Sequence, residues 1–386
     1  MNWARSPAVV RAPATSANLG PGFDAFGLAL GLHDQVEARV TGGGLAVEVH
    51  GEGAETAGAG ERHLVVRAMR AAFARLGGQP AGLALRCANG IPHGRGLGSS
   101  AAAVVSGILA ARALVADGAD RLPDIEVLRL AVDLEGHPDN VAACLAGGLT
   151  VAWQPAAADR CTGSVADGIP GAEVIRGEGP AGRPVSLLRF DVLAAITVVA
   201  CVAPGAMATH EARAALPASV PHADAAANAA RSALLLAALT RDPSVLFDAT
   251  EDYLHQRYRA AAMPPTADLL ARLRLAGVAA VMSGAGPSVL ALGLVDARPG
   301  LAAVDSIARE TGIAWRVTPL KVDRQGATVQ PGGTGEPAPE TARQRRYANQ
   351  DPEPGVLPAG GSTQGRATNP ATHGPQSRES RGLLWC

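Results

Sequence analysis

Ile91-Pro92-His93-Gly94-Arg95-Gly96-Leu97-Gly98-Ser99-Ser100-Ala101-Ala102-Ala103 is the stretch on which the reading of this 386-residue chain turns. Upstream, Leu83, Leu85 and Cys87 alternate on one face of a short run, the period-two pattern of a strand. Downstream, Ala101 to Ala116 is rich in Ala, Val, Leu and Ile, with Ser106 and Arg112 as its few polar positions, which predicts a largely buried helix. Strand, glycine turn and helix N-terminus in that order make an anion-binding device. Glycines let backbone approach a phosphate, the first helical N–H groups are unpaired, and the macrodipole adds roughly half a positive charge. Ser99 and Ser100 sit where a hydroxyl can cap the helix, touch a phosphate oxygen or ligate Mg²⁺.

Two familiar phosphate motifs do not fit. No Lys follows Gly98, as the P-loop requires, and glycines at 94, 96 and 98 break the G-x-G-x-x-G spacing. The full pattern P-x-x-x-G-L-G-S-S-A instead resembles the ATP-phosphate loop of the GHMP kinases, which act on galactose, homoserine, mevalonate and phosphomevalonate. The resemblance implies that residues Pro92 to Ala102 hold ATP, and that the fold is α+β in two domains. The first, residues 1–155, would be like domain 2 of ribosomal protein S5; the second, residues 156–322, would be ferredoxin-like.

Val9 to Pro13 predicts a strand running into Ala14-Thr15-Ser16-Ala17-Asn18-Leu19-Gly20-Pro21-Gly22-Phe23-Asp24-Ala25-Phe26-Gly27-Leu28-Ala29-Leu30. Read locally, Asn18 and Asp24 are an Asx-turn residue and a helix cap. The whole segment, however, resembles the N-terminal motif of the GHMP branch that phosphorylates L-homoserine. Asn18 would then orient the substrate hydroxyl and Asp24 would meet its ammonium, with Asp24 also the fallback as a base. Val36 to Val40 and Leu45 to Val49 read as a hairpin about Thr41-Gly42-Gly43-Gly44. Leu64 to Leu76 predicts a helix, and His63 stands before it where this branch usually carries an adenine-contacting Asn.

Asp124 to Glu135 predicts a helix, with Arg129 and Asp133 spaced for an i,i+4 ion pair. Glu135 falls with the apolar positions, where a carboxylate requires a cation or a raised pKa. The following Gly136-His137-Pro138-Asp139-Asn140-Val141-Ala142 resembles the family segment that sets a Mg²⁺-binding Glu beside the substrate pocket. By that resemblance Glu135 and Ser100 are the metal ligands, and His137 and Asn140 face the amino acid. Asn140 stands where mevalonate kinases have an Asp base, so catalysis without a side-chain base is expected. Thr209 and Arg213 match a family T-x-x-x-R-x-x-L-P pattern, and Arg259 a second substrate arginine. Two guanidiniums would hold an α-carboxylate in forked hydrogen bonds. Met282 to Leu290 reads as a second glycine turn followed by a strand, and it resembles the third GHMP motif, which implies a place beside the phosphate loop.

Composition narrows the remainder. The net charge is −1 with no basic stripe, so nothing suggests nucleic acid. No uncharged apolar run reaches the ~18 residues of a membrane span, and the N-terminus lacks a signal-peptide pattern. Five scattered cysteines without metal spacing suggest reduced thiols and a cytoplasmic protein. Gln154 to Pro184 reads as an inter-domain or edge region. From residue 323 to 386 Gly, Pro, Thr, Gln and Arg dominate, which predicts a disordered tail. The expectation is an ATP- and Mg²⁺-dependent kinase making O-phospho-L-homoserine, on the way to threonine. Another GHMP small-molecule kinase, or an inactive ligand-binding relative, is the alternative. A homodimer is compatible with the resemblance.

Overall fold

The computed structural model describes residues 1–55, 60–154, 172–176, 185–294 and 302–331. Strands β1 (Ala8–Ala17), β2 (Phe26–Thr41), β3 (Gly44–Gly51), β4 (Gly82–Asn89), β5 (Leu149–Trp153), β6 (Ala172–Arg176) and β7 (Ser186–Phe190) form one sheet with β12 (Thr328–Pro331). Its order is β12-β1-β2-β5-β7-β6, and β4 pairs with both β2 and β3. Helices Leu64–Arg75, Ser99–Ala113, Asp124–Glu135 and Asp139–Ala146 pack together on this half. Helix Ser99–Ala113 is buried on nearly every side, through Ala101, Val104, Val105, Ile108 and Leu109 among others. That is why its sequence carries no amphipathic stripe.

A second, antiparallel sheet holds β8 (Ile196–Val202), β9 (Ala279–Met282), β10 (Val289–Leu294) and β11 (Arg316–Leu320) in the order β11-β8-β10-β9. With helices in the β8–β9 and β10–β11 connections, this is the ferredoxin-like arrangement. Alternation along β8 explains its unbroken apolar run. Val199 and Cys201 pack with Leu269, Leu273 and Val304, whereas Val198, Ala200 and Val202 join the main core. No helix among the described residues is long and apolar enough to cross a membrane.

Four sequence expectations change. β2 and β3 are not a hairpin, because β4 lies between them, antiparallel to β2 and parallel to β3. Gly82 pairs with both Thr41 and Gly44, and a Cβ there would stand 2.3 Å from the Gly43 carbonyl carbon, so only glycine lets β4 start inside that bend. Arg129 pairs with Glu126 rather than Asp133, whose carboxylate lies 3.6 Å from Arg75. The first sheet extends past residue 155, since β6 and β7 continue it from β5 and cover its edge.

The fourth change concerns the chain after 322. Val329 and Thr328 of β12 pair with Val10 and Arg11 of β1. Asp323 bonds His33 at 2.7 Å, and Ala327 N–H donates to the Cys144 carbonyl. Residues 323–331 therefore belong to the fold. The tail expected after them, like most of the 154–184 region, lies outside the described residues.

Candidate active site

The glycine loop is held in place by groups from distant parts of the chain. At its entrance both backbone N–H groups of Gly90 and Ile91 donate to Asp34 Oδ1, at 2.8 and 2.9 Å. Burial of Asp34 outweighs those bonds and pushes its pKa up to about 6. At its exit Gly98 is the helix N-cap, with φ 69°, and its carbonyl accepts from Ala102 N–H. A Cβ at Gly98 would lie 1.9 Å from Thr15 Oγ1, so glycine is required by both backbone and space. Between these points Thr15 N–H donates to Leu97 O, Ser283 Oγ to Gly96 O at 2.6 Å, and Met207 N–H to Gly94 O.

Two side chains of the loop have partners that the sequence did not announce. Arg95 donates to the carbonyls of Ala203, Pro204 and His93, so its guanidinium fastens the loop to the end of β8. Neither serine hydroxyl caps the helix; Ser100 Oγ donates to Glu135 Oε2 at 2.7 Å. This brings a hydroxyl and a carboxylate, both hard oxygen donors, together at the N-terminus of helix Ser99–Ala113.

Across the cleft stands the segment from Asn18 to Asp24, with three non-glycine residues in the left-handed region: Asn18 (φ 68°), Leu19 (φ 50°) and Asp24 (φ 55°). Asn18 is 4% exposed, and its amide works at both ends. Nδ2 donates to Gly284 O at 2.9 Å, and Oδ1 accepts from Asp24 N–H at 2.9 Å. Asp24 makes a two-pronged ion pair with Arg213, at 2.6 and 3.0 Å. The hydrogen bond to Asp24 raises the Arg213 pKa further above its usual value.

Arg259 is 1% exposed. Its Nε donates to Ala212 O at 3.1 Å, and its Nη1 approaches Gly284 O at 3.2 Å and His255 Nδ1 at 3.1 Å. The Phe23 ring lies 5.8 Å from the Arg213 guanidinium carbon and 5.6 Å from that of Arg259.

The third wall begins at Pro138, which starts a new helix with Asp139 buried at its positive end. Asp139 Oδ1 accepts from Asn140 N–H at 2.7 Å and meets His137 Nδ1 at 2.9 Å. That hydrogen bond raises the His137 pKa above its ordinary value, against the effect of burial. Asn140 Oδ1 accepts from Thr15 Oγ1 at 2.8 Å, which fixes the orientation of the amide.

Asn18, Asp24, Gly94 to Ser100, Glu135, His137, Asn140, Thr209, Arg213 and Arg259 all line one cleft of about 670 Å3, open to solvent. Pro92, His93, Ala101 and Ala102 do not line it. Pro92, Ala101 and Ala102 are buried behind the loop, and His93 packs toward Asn89. Nor does His63, the buried N-cap of helix Leu64–Arg75. Asp34, Thr15, Asp139, His255 and Ser283 carry structural roles here that no local pattern marked. A buried carboxylate on a strand, or a His four residues before an Arg, has the same appearance in an ordinary core.

A glycine loop at a helix N-terminus, an acidic hard-oxygen site beside it and paired arginines opposite are the parts of a small-molecule phosphotransferase. Residues 63–148 match the family model of the GHMP kinases N-terminal domain, and residues 221–311 that of the GHMP kinases C-terminal domain. The chain is 51% identical to a homoserine kinase of Streptomyces avermitilis over 323 residues, 83% of this chain and 95% of that protein. It is 50% identical to a homoserine kinase of Streptomyces coelicolor over 325 residues, 84% and 95% of the two chains. The solved structure of a homoserine kinase from Cytophaga hutchinsonii superposes with TM-score 0.65 at 23% identity, over 86% of this chain and 99% of that one, and shares its fold. The chain belongs to the GHMP kinase family, in its homoserine kinase branch.

Proposed function

We propose that this cleft transfers the γ-phosphoryl group of ATP to the side-chain hydroxyl of L-homoserine, giving O-phospho-L-homoserine for threonine synthesis. One observation carries the reading. The glycine loop, the Ser100–Glu135 pair and the charged groups Asp24, Arg213 and Arg259 all line a single cleft. Anion-binding backbone faces one end of the substrate, and groups complementary to an amino acid's charges face the other.

Phosphoryl transfer depends on positioning and charge neutralisation more than on covalent chemistry. The backbone N–H groups that open helix Ser99–Ala113 would receive the triphosphate. Ser100 and Glu135 fit a Mg²⁺ carried with the nucleotide, because both supply hard oxygen and the pair keeps a net negative charge. Such an ion would neutralise charge on the phosphate oxygens. Asn140, its amide turned by Thr15, would orient the attacking hydroxyl together with the remaining N–H of Asn18. An amide does not take up a proton at neutral pH. Asp24, paired with Arg213 in this structure, faces the substrate ammonium in this reading rather than its hydroxyl, so the reading keeps catalysis without a side-chain base. His137, favoured in its charged form by Asp139, would add positive charge near the substrate.

A coupled ADP-release assay with homoserine, mevalonate, galactose and shikimate tests this reading. Homoserine should be preferred by orders of magnitude in kcat/KM. Comparable turnover of mevalonate or galactose would overturn the substrate assignment.

A further inference from the structure

His255 has no place among the cleft-lining residues, yet it joins two parts of the cleft. It is fully buried, at 0% exposure. One ring nitrogen, Nε2, lies 2.9 Å from the carbonyl of Gly20, and the other, Nδ1, lies 3.1 Å from Arg259 Nη1. A guanidinium can only donate, so Nδ1 must present a lone pair. The ring proton is then on Nε2 and is donated to Gly20. The hydrogen-bond geometry therefore holds His255 in one neutral tautomer; burial lowers its pKa, opposed by the Asp252 carboxylate 3.7 Å from Nε2 and assisted by the Arg259 charge. The turn that carries it is held from below by Asp252, whose carboxylate accepts from the backbone N–H groups of Leu254, His255 and Gln256.

These bonds matter for how Arg259 stands. Its Nε is engaged by Ala212 and its Nη1 by Gly284 and His255. Nη2 is the guanidinium nitrogen left without a hydrogen-bond partner among the described residues, and Arg259 lines the cleft. A planar guanidinium with two nitrogens fixed cannot rotate the third away. The other bond of His255 reaches Gly20, in the left-handed segment that also carries Asn18 and Asp24. The Phe23 ring covers the junction, 5.3 Å from the His255 ring.

We propose that His255 is a positioning residue for substrate binding. Its neutral Nδ1 sets the rotation of Arg259 so that Nη2 meets the substrate carboxylate, and its Nε2–H fixes the loop bearing Asp24 relative to that arginine. This rests on the reading that Arg259 binds the carboxylate of homoserine. The two arginines on the substrate side then differ in kind. Arg213 is half-exposed and paired with Asp24 until substrate arrives, whereas Arg259 is buried and aimed in advance.

The test compares His255→Phe, which keeps the ring but has no acceptor, with His255→Asn, whose amide oxygen can take the place of Nδ1. If Phe is not accommodated, His255→Leu carries the same comparison. Steady-state kinetics are measured with homoserine and with 3-aminopropan-1-ol, the analogue lacking the carboxylate. Losing the acceptor should raise KM for homoserine roughly ten-fold, with kcat and KM for ATP nearly unchanged. His255→Asn should recover most of the loss, and the amino alcohol, which meets only the Asp24 side of the junction, should lose far less than homoserine in His255→Phe. Equal KM in the Phe and Asn variants, or a loss confined to kcat, would overturn the role of His255. If the native enzyme used the amino alcohol as well as homoserine, the carboxylate assignment of Arg259 would fail first, which is a separate result.

Discussion

Asp24 and Arg213 close on each other across the cleft, carboxylate oxygens 2.6 and 3.0 Å from the two guanidinium Nη atoms. An amino acid zwitterion offers the same two charges in reverse, an ammonium for Asp24 and a carboxylate for Arg213. Each side chain thus stands in for the part of the substrate that the other would bind. The pair is 38% exposed on both sides, so it stabilises the protein little and would be exchanged for the substrate's charges at small cost.

If Arg213 holds the substrate carboxylate, replacing it with Ala removes a contact present in both ground and transition states. KM for homoserine should rise more than kcat falls, with kcat/KM reduced about ten- to hundred-fold. Arg213→Lys should restore only part, since an ammonium cannot make the forked contact. Equal losses for homoserine and 3-aminopropan-1-ol would place Arg213 on the phosphates or the scaffold. Arg259→Ala should behave differently. It leaves the carbonyls of Ala212 and Gly284 without this donor, so a lower melting temperature should accompany its kinetic loss.

Glu135→Gln keeps an acceptor for the Ser100 hydroxyl and removes only the charge. If Glu135 ligates Mg²⁺, kcat should fall by roughly a hundred-fold or more, and the Mg²⁺ concentration needed for half-maximal turnover should rise. Circular dichroism would report whether the fold is kept. Normal turnover at normal Mg²⁺ demand would make Glu135 an ordinary helix-end carboxylate.

Asp34 gives the protein a pH-dependent stability of unusual sign. Its pKa is 3.8 in an exposed chain and about 6 in the fold, so between those values the folded state binds more protons. Stability from this group is therefore present at the acid end and declines as pH rises through the window, by at most about 3 kcal/mol. Asp34→Asn keeps an oxygen for Gly90 and Ile91 without a charge. Its melting temperature should match the native protein at the acid end and exceed it above about pH 6. Parallel melting profiles of the two proteins would show that Asp34 titrates as in the unfolded chain.

Truncation should discriminate sharply by position. Removing residues 335–386 should leave melting temperature and turnover unchanged, because their sequence has no core-forming pattern. Cutting after residue 323 removes β12 from β1, the Ala327 bond to Cys144, and the Arg324 contacts to Val192 and Arg189. That protein should melt several degrees lower. A thermal shift equal for the two truncations would contradict the docking of β12.

Local signals were enough for the phosphate loop, the strand before it and the buried helix after it. Each is specified by neighbours in sequence: alternating Leu83, Leu85 and Cys87, three glycines with positive φ, and an apolar run from Ala101. Family resemblance placed Asn18, Asp24, Glu135, Arg213 and Arg259 on the list, and they share one cleft. What pairs with what was not legible. The turn at Thr41 to Gly44 has every mark of a hairpin, yet β4, thirty-eight residues further on, enters between its arms. Strand order depends on burying a face against distant helices, and no local pattern records it. The same holds for Thr328 to Pro331, whose polar composition reads as tail while its backbone completes the edge of β1. Side-chain direction was decided last. Composition could nominate Arg95 for a phosphate and leave His255 unremarked, but only the folded chain brings Ala203 to the first and Arg259 and Gly20 to the second. Hydrogen bonds form between groups that the fold has made neighbours, and the sequence determines them only through the fold.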